Sequence, residues 1–415
     1  MSDDGRRVSG ALSGYRVLDL GDELAAYASR LLGDLGADVI RVEPPVGSRT
    51  RRLGPTVPGA QGPGVSAFDR FVNAGKRSVT LDLDHPDGRA LLGRLVTTAD
   101  VLIETFSQAV ADRRDLGPAS LAALNPRLVH VSVTALGRDR TPENVDDDDL
   151  TIMASGGLLH LGGYPDSPPT VAYGGQGRVA ASIFAAVATL VALFDRERTG
   201  IGRWIDVSAQ ECVAQALEDT VATFELTGRV RQRLGSGPRE AGSGVYACAD
   251  GSVSMVAGRV GTSRAWTALV AWLGEEGAAG AAELEDARWS ELSFRQTDAA
   301  IARFGEIFGG FARSRLRLDL YRAAQRRGIA LAPVNDVAAV LADPQLASRD
   351  FWVKVPDAEL GRDATFPGPP FRLSATPVRP AQPAPALGSD DRAVLADELG
   401  LSLAQLEELH EAWVS

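Results

Sequence analysis

Along the first half of the chain, short apolar runs alternate with longer amphipathic stretches. YRVLDL (15–20), ADVIRVE (37–43), RSVTLDL (77–83), DVLIET (100–105) and RLVHVSVTAL (127–136) have the length of strands. Between them, LAAYASRLLGDLG (24–36) reads as a helix ending at a glycine, and HPDGRALLGRLVTTA (85–99) as a helix with proline near its start. Such alternation predicts a mostly parallel sheet covered by helices. Ligands in these folds sit at the carboxyl ends of the strands. The loops after Leu20, Glu43, Thr105 and Leu136 are therefore where chemistry is expected.

The pattern changes further along. A helix is expected over 179–197, then a glycine-punctuated turn, a short strand and another helix. GVYACADGSVSMVAG (244–258) carries an Asp-Gly turn between two strand-like runs and reads as a hairpin. Helical patterns fill about 262–328, and a proline-rich, extended stretch occupies 366–388. LSLAQLEELHEAW (401–413) reads as an amphipathic helix begun by a serine cap. The expected organisation is a disordered leader (1–14), a large domain (15–225), a small domain (226–328) and a C-terminal segment returning to the large domain (329–415).

A net charge of -11 with no basic stripe argues against nucleic acid as a partner. The basic RTRRLG stretch (49–54) is short and reads as a solvated loop, with a phosphate contact as the alternative. Cys212 and Cys248 lie in no C-x-x-C, and the four histidines show no metal-ligand spacing, so neither a disulfide framework nor a metal site is expected. The N-terminus lacks an apolar signal segment. The longest apolar run, Val179 to Phe194, is shorter than a membrane span and reads as a buried helix. These features predict a cytoplasmic protein with no membrane partner.

One motif invites a cofactor reading. Gly175, Gly177 and Ala180 of VAYGGQGRVAAS (171–182) fit G-x-G-x-x-A. A dinucleotide loop, however, belongs between the first strand and first helix of a βαβ unit. This one follows a proline-rich turn late in the domain, so NAD is not expected.

Taken in order, VLDL, LLGDLGADVIRVEPP, NAGKRSVTLDLDHPDGRALL, ADVLIETF, LNPRLVHVSV, ERTGIGRWIDVS, GVYACADG, APVNDVAAVLADPQL and FPGPPFRLSATP make the chain resemble the family III CoA-transferases. That group includes formyl-CoA transferases, carnitine CoA-transferases and α-methylacyl-CoA racemases. The resemblance runs from about Tyr15 to the C-terminus. It implies an α/β fold with a Rossmann-like large domain, a smaller α+β domain and an interlocked dimer. It implies coenzyme A or acyl-CoA as substrate, with no metal.

By the same resemblance, Arg41, Lys76, Phe106 and Arg113 match CoA-contacting positions. A salt-bridged or solvated role competes for the cations, and a core role for Phe106. Several positions depart from the family pattern: Thr105 replaces an asparagine, the loop after VLDL is one residue shorter, and Asp22 and Glu23 bring negative charge there.

The reacting groups depart further. Family transferases use an aspartate nucleophile that forms a mixed anhydride and then an enzyme-bound CoA thioester. Counting back from RTG (198–200), that position falls on Arg178, and no Asp or Glu occurs from Ser167 through Phe194. The racemase histidine position falls near Asp147. Arginine is no nucleophile and stays protonated. At a helix start Arg178 suits a substrate carboxylate or another anion; the alternative is a salt bridge to the acidic run 146–149. Asp146 to Asp149, Ser155 and Cys212 are substitute nucleophiles without a signature. Two classes remain. One is an enzyme acting on acyl-CoA thioesters through a changed site, or with an aspartate-containing paralogue in a heterodimer, and lacking the usual aspartyl mechanism when alone. The other is a non-catalytic CoA-binding protein or partner subunit.

Overall fold

The computed structural model describes residues 10–60, 64–138, 148–235, 237–258, 263–378, 382–412 and 414–415. It falls into two compact units. The larger comprises the chain up to Gly162, Pro169–Arg231 and Ala347–Ser415; the smaller comprises Gly163–Pro168 and Gln232–Leu346.

The larger unit begins β1 (Arg16–Leu20), α1 (Ala26–Asp34), β2 (Asp38–Glu43), a two-residue ladder β3 (Thr56–Val57) and β4 (Val65–Ser66), α2 (Ala67–Val72), β5 (Arg77–Thr80) and α3 (Pro86–Thr97). It continues with β6 (Val101–Glu104), α4 (Gln108–Arg113), α5 (Pro118–Leu124), β7 (Val129–Thr134), α6 (Asp149–Ser155), α7 (Leu158–Leu161), α8 (Gln176–Thr199), β8 (Trp204–Ser208), α9 (Ala209–Gln215) and α10 (Thr220–Thr227). Six strands form one sheet in the order β5-β2-β1-β6-β7-β8, and every pairing is parallel. Order reverses beside β1, which pairs with β2 on one side and β6 on the other.

Because both faces are covered, the inner strands are buried along their length rather than at alternate positions, and β6 and β7 are buried at every residue. Val17, Val39, Val101 and Val129 share a core with Ala28 and Leu32 of α1, Ala181 and Ala185 of α8, and Leu24 of the loop before α1. Leu18, Ile40, Val79 and Leu102 face Leu91, Leu92 and Leu95 of α3 and the C-terminal Val394, Leu395 and Leu406. The returning C-terminus is pinned at the β5 edge: Asp391 accepts from the Thr80 N–H at 2.7 Å, and the Asp82 N–H donates to the Val414 carbonyl at 2.7 Å.

Helix α8 has the length and apolarity to cross a membrane. Its small residues Ala181, Ser182 and Ala185 are packed inward, while Ile183, Phe184, Val187, Val191 and Phe194 remain exposed. The reading of this segment as a buried helix therefore holds for one face only.

The smaller unit contains an antiparallel sheet, β11 (Ala330–Pro333), β10 (Gly251–Val256) and β9 (Ser243–Cys248), in that order, with the expected hairpin closing at Cys248 and Gly251. Helices α11 (Ser263–Glu275), α12 (Leu292–Arg295), α13 (Asp298–Arg313) and α14 (Arg317–Arg326) accompany it. Its core is aromatic: Trp266, Trp272, Trp289, Phe304, Phe308 and Phe311 are all buried.

Two boundaries differ from the sequence reading. Residues 329–346 group with the smaller unit, because β11 pairs with β10 from Val253↔Pro333 to Val256↔Ala330. The segment 10–14, assigned to the leader, is anchored at two points: Gly10 and Leu12 are buried, and the Leu12 N–H donates to the Leu35 carbonyl at 2.9 Å. At 401–413 the serine cap is present, with Ser402 and Gln405 forming a capping box.

Candidate functional site

Three strands of the parallel sheet carry an acid at or next to the carboxyl end, and each acid is buried. Asp19, one residue from the end of β1, accepts from the Gly21 N–H (3.0 Å), Ser29 Oγ (2.8 Å), Lys76 Nζ (2.7 Å) and Arg41 Nη1 (3.1 Å). Burial pushes its carboxyl upward, but Lys76 and Arg41 outweigh that and hold it below the ordinary value. Burial brings Lys76 down to about 8, against the pull of Asp19 and with Arg41 repelling it.

Arg41 reaches across two loops. It donates to the Gly21 carbonyl (3.3 Å), Ser48 Oγ (2.7 Å) and Thr50 Oγ1 (3.1 Å). Lys76 also donates to the Ala26 carbonyl and Asn73 Oδ1, each at 2.8 Å. Arg41 and Lys76, two of the expected CoA contacts, are thus brought together on one carboxylate with their charges turned inward. Their partners fix the loops after β1 and β2.

Glu43 ends β2 and receives a two-pronged contact from Arg51, at 2.8 and 2.6 Å, with Ser48 Oγ and Ser78 Oγ both at 2.8 Å. Burial would raise its pKa, but Arg51, Arg41 and Ser48 carry it down to about 2. Glu104 ends β6 and accepts from the Phe106 N–H (2.6 Å), His130 Nε2 (3.1 Å), Ser132 Oγ and Arg138 Nη1. Trp204 Nε1 closes that network on Ser132 Oγ at 2.9 Å. The sequence reading singled out none of Asp19, Glu43, Glu104 or Arg138. For the three acids, a polar residue in or ending an otherwise apolar strand was the available signal; Arg138, in the loop after β7, carried none.

The loop after β6 places Phe106 half-buried against the core. Arg114, rather than Arg113, stacks on its ring at 5.0 Å and pairs with Asp84 at 2.9 and 2.8 Å. Arg113 ends α4 with its side chain exposed. In the basic RTRRLG stretch, Arg49 pairs with Glu23 at 3.1 Å and Arg51 with Glu43, so two of its three arginines are engaged with protein carboxylates.

The GGQG turn has a packing cause. Gly174 and Gly175 lie at φ 95° and 66°, a region L side chains rarely enter. A Cβ on Gly177 would sit 3.0 Å from both Asp149 Oδ1 and Ile152 Cγ2, so glycine lets α6 approach α8. Helix α8 consequently begins at Gln176, three residues before the apolar run, and Arg178 is its third residue. The Arg178 N–H donates to Asp149 Oδ1 at 3.0 Å. Its guanidinium lies 3.7 Å from Asp148, and Nε is buried without a hydrogen bond. Of the two readings for Arg178, the structure shows the contact to the acidic run.

Asp148 caps α6 through the Leu150 N–H at 2.8 Å. Asp146 and Asp147 lie outside the described residues. Cys212 is buried and burial, aided by Glu211, pushes its thiol up to about 11, the opposite of an activated nucleophile. Ser155 is exposed and its hydroxyl bonds the Ile152 carbonyl. Among the described residues no group of three or more His, Cys, Asp or Glu side chains is arranged to hold a metal.

Helix α8 meets the crest of the sheet directly. Ser182, one turn beyond Arg178, donates to the Leu24 carbonyl at 2.7 Å. The loop that carries Asp22, Glu23 and Leu24 therefore abuts the first turns of α8.

The model for CoA-transferase family III matches residues 12–391. The chain is 35% identical over 398 residues to the succinyl-CoA:(R)-benzylsuccinate CoA-transferase subunit BbsE of Thauera aromatica, covering 96% of each chain. It is 32% identical to succinate–glutarate CoA-transferase of Agrobacterium fabrum, over 93% of this chain and 95% of that one. It is 30% identical to the succinyl-CoA–L-malate CoA-transferase beta subunit of Chloroflexus aurantiacus, over 98% of both. Among solved structures, a CAIB/BAIF family protein from Brucella suis superposes with a TM-score of 0.81 at 29% identity, over 94% of this chain and 99% of that one. With the parallel α/β sheet and a match along almost the whole chain in agreement, this protein belongs to CoA-transferase family III.

Proposed function

We propose that the chain binds acyl-CoA thioesters of dicarboxylic acids over the carboxyl ends of β1, β2 and β6, and exchanges CoA between them through a changed reacting site. The observation that carries the change is Arg178 at the start of α8, where the resemblance places the family aspartate, with no acid from Ser167 through Phe194. The substrate class follows from the relatives, whose names specify succinyl-CoA or succinate with benzylsuccinate, glutarate or malate. Phe106 and Arg113, at the rim, offer the apolar and cationic contacts for CoA, while Arg41 and Lys76 hold the loops beneath. Arg178, with a free Nε, offers a cation to a substrate carboxylate once Asp148 yields it.

The protein works as a dimer, and the exposed apolar face of α8 is the surface for it, since a patch of five large apolar side chains marks an interface. A second reading has its own support: two of the relatives are named as subunits. In that reading the chain is the member of a heterodimer that lacks the aspartate, and an aspartate-containing paralogue completes it.

Calorimetry with CoA tests the common ground. Saturable binding, weakened at least about fivefold by Arg113→Ala, is expected for a lost charge-assisted contact. Absence of heat at high CoA concentration overturns the proposal. Co-purification with an aspartate-containing paralogue, with no exchange by either chain alone, selects the second reading.

A further inference from the structure

Glu23 differs from every other buried acid at the sheet's crest. Asp19, Glu43 and Glu104 each accept four or more hydrogen bonds. Glu23 is only 2% exposed, and neither of its oxygens accepts any. Its ion pair is with Arg49 at 3.1 Å, where the guanidinium N–H groups do not aim at the carboxylate. Arg49 itself is 54% exposed and lies on the outer side of that contact.

A carboxylate withdrawn from water and given no donors is costly to fold around. Its fold does not need it: the backbone of this loop is held by the Asp22 N–H to Thr105 Oγ1, the Leu24 N–H to Asp22 Oδ1, and Ser182 Oγ to the Leu24 carbonyl. The same desolvation that makes Glu23 expensive makes its oxygens reactive, because no hydrogen bond occupies their lone pairs. The position also fits. Glu23 follows the carboxyl end of β1, at the point where strand order reverses, in the loop that touches the α8 turn beyond Arg178.

The geometry points to Glu23 as the reacting carboxylate of this chain, transferred from the start of α8 to the facing loop, with Arg178 left free to hold a substrate anion. This inference rests on the acyl-CoA reading above. Arg49 covers Glu23, and the phosphates of an arriving CoA compete for its guanidinium and uncover the carboxylate.

The steps balance without a co-reactant. A Glu23 oxygen attacks the thioester carbonyl carbon, the C–S bond breaks, and CoA leaves as thiolate from a mixed anhydride. The thiolate attacks Glu23 Cδ, releasing the donor acid as carboxylate and leaving CoA on Glu23 as a thioester. An acceptor carboxylate attacks Cδ in turn and expels the thiolate. Attack of that thiolate on the acceptor's carbonyl carbon regenerates the Glu23 carboxylate and delivers the new acyl-CoA.

Borohydride trapping in the presence of succinyl-CoA reads the thioester directly, since reduction turns the Glu23 carboxyl into an alcohol. Cleavage after Arg16 and Arg30 releases residues 17–30, and fragmentation separates Glu23 from Asp19 and Asp22. The alcohol is expected at Glu23 in the full chain. Glu23→Gln is expected to lose trapping and to lower succinyl-CoA/succinate exchange at least about a thousandfold, the scale of removing a nucleophile. It should leave CoA affinity within about threefold and the urea midpoint unchanged or raised, as expected when a buried charge is neutralised. CoA binding without trapping at Glu23, or trapping on another residue, overturns the inference and leaves the acyl-CoA reading standing. A fall in the urea midpoint of Glu23→Gln with exchange retained makes Glu23 a structural ion pair and also overturns it. Absence of CoA binding overturns both.

Discussion

Asp19→Asn tests whether the cations under the site are scaffold or free ligand contacts. The substitution keeps the shape at the end of β1 and removes one charge, leaving Arg41 and Lys76 as buried like charges with side chains each 1% exposed. Lys76 has an escape. Its pKa is already about 8, and losing Asp19 removes its main attraction, so it sheds its proton. At pH 7 that limits the lysine's share to roughly one pH unit, about 1 kcal/mol. Arg41 has no such escape, because guanidinium stays protonated. Its share is a lost charge-assisted contact, about 2–3 kcal/mol. The sum, about 3–4 kcal/mol at pH 7, should shrink by about 1 kcal/mol at pH 9, where wild-type Lys76 is itself mostly neutral. Urea unfolding followed by hydrogen exchange in residues 17–30 reports this unit separately from the smaller one. A loss under about 1 kcal/mol, or a loss independent of pH between 7 and 9, would refute the view that Asp19 holds both cations.

Two further outcomes follow from the same geometry. Glu43 titrates near 2 in the fold and near its ordinary 4.5 when unfolded. The contribution is thus complete above about 4.5 and disappears as pH falls toward 2, worth about 3 kcal/mol; urea midpoints at pH 5, 4 and 3 should fall more steeply for wild type than for Glu43→Gln. Gly177→Ala places a methyl 3.0 Å from Asp149 Oδ1 and Ile152 Cγ2, so α6 must shift away from α8. A cost of about 1–3 kcal/mol is expected, and an unchanged melting temperature would contradict that close approach.

The parallel sheet was legible because short apolar-rich runs, broken by single polar residues such as Asp19 and Arg41, alternate with amphipathic stretches of helix length. Ends were less so. The run 127–136 yields a strand only over Val129–Thr134, since Ala135 and Leu136 already turn toward Gly137 at φ 87°. The grouping of Ala330–Pro333 with the smaller unit depends on pairing with β10, a long-range contact to which local pattern is blind. At the site, residue type identified Arg41 and Lys76 as cations, and the resemblance made them ligand contacts. Whether a cation faces out or in depends on the partner across the loop. Asp19 comes from another strand, hidden in a run where it looks like one polar interruption. Arg178 was located correctly at a helix start, yet its Asp148 and Asp149 contacts depend on how closely α6 approaches, which Gly177 permits.

The acids at the crest also explain how a site can be rebuilt without loss of fold. Asp19, Glu43 and Glu104 neutralise buried cations and satisfy backbone or hydroxyl donors, so removing any one leaves charges stranded. Glu23 strands nothing: its partner Arg49 reaches solvent and hydrates when released. Neutralising Asp19 should therefore lower stability while neutralising Glu23 leaves it unchanged or raises it, although the two residues lie four apart in sequence at the end of one strand. A loop that tolerates such a change is where a reacting carboxylate can be gained or lost cheaply, and the network beneath it is where it cannot. If both substitutions destabilise alike, the crest is a single structural network and the distinction between scaffold and reacting acid fails.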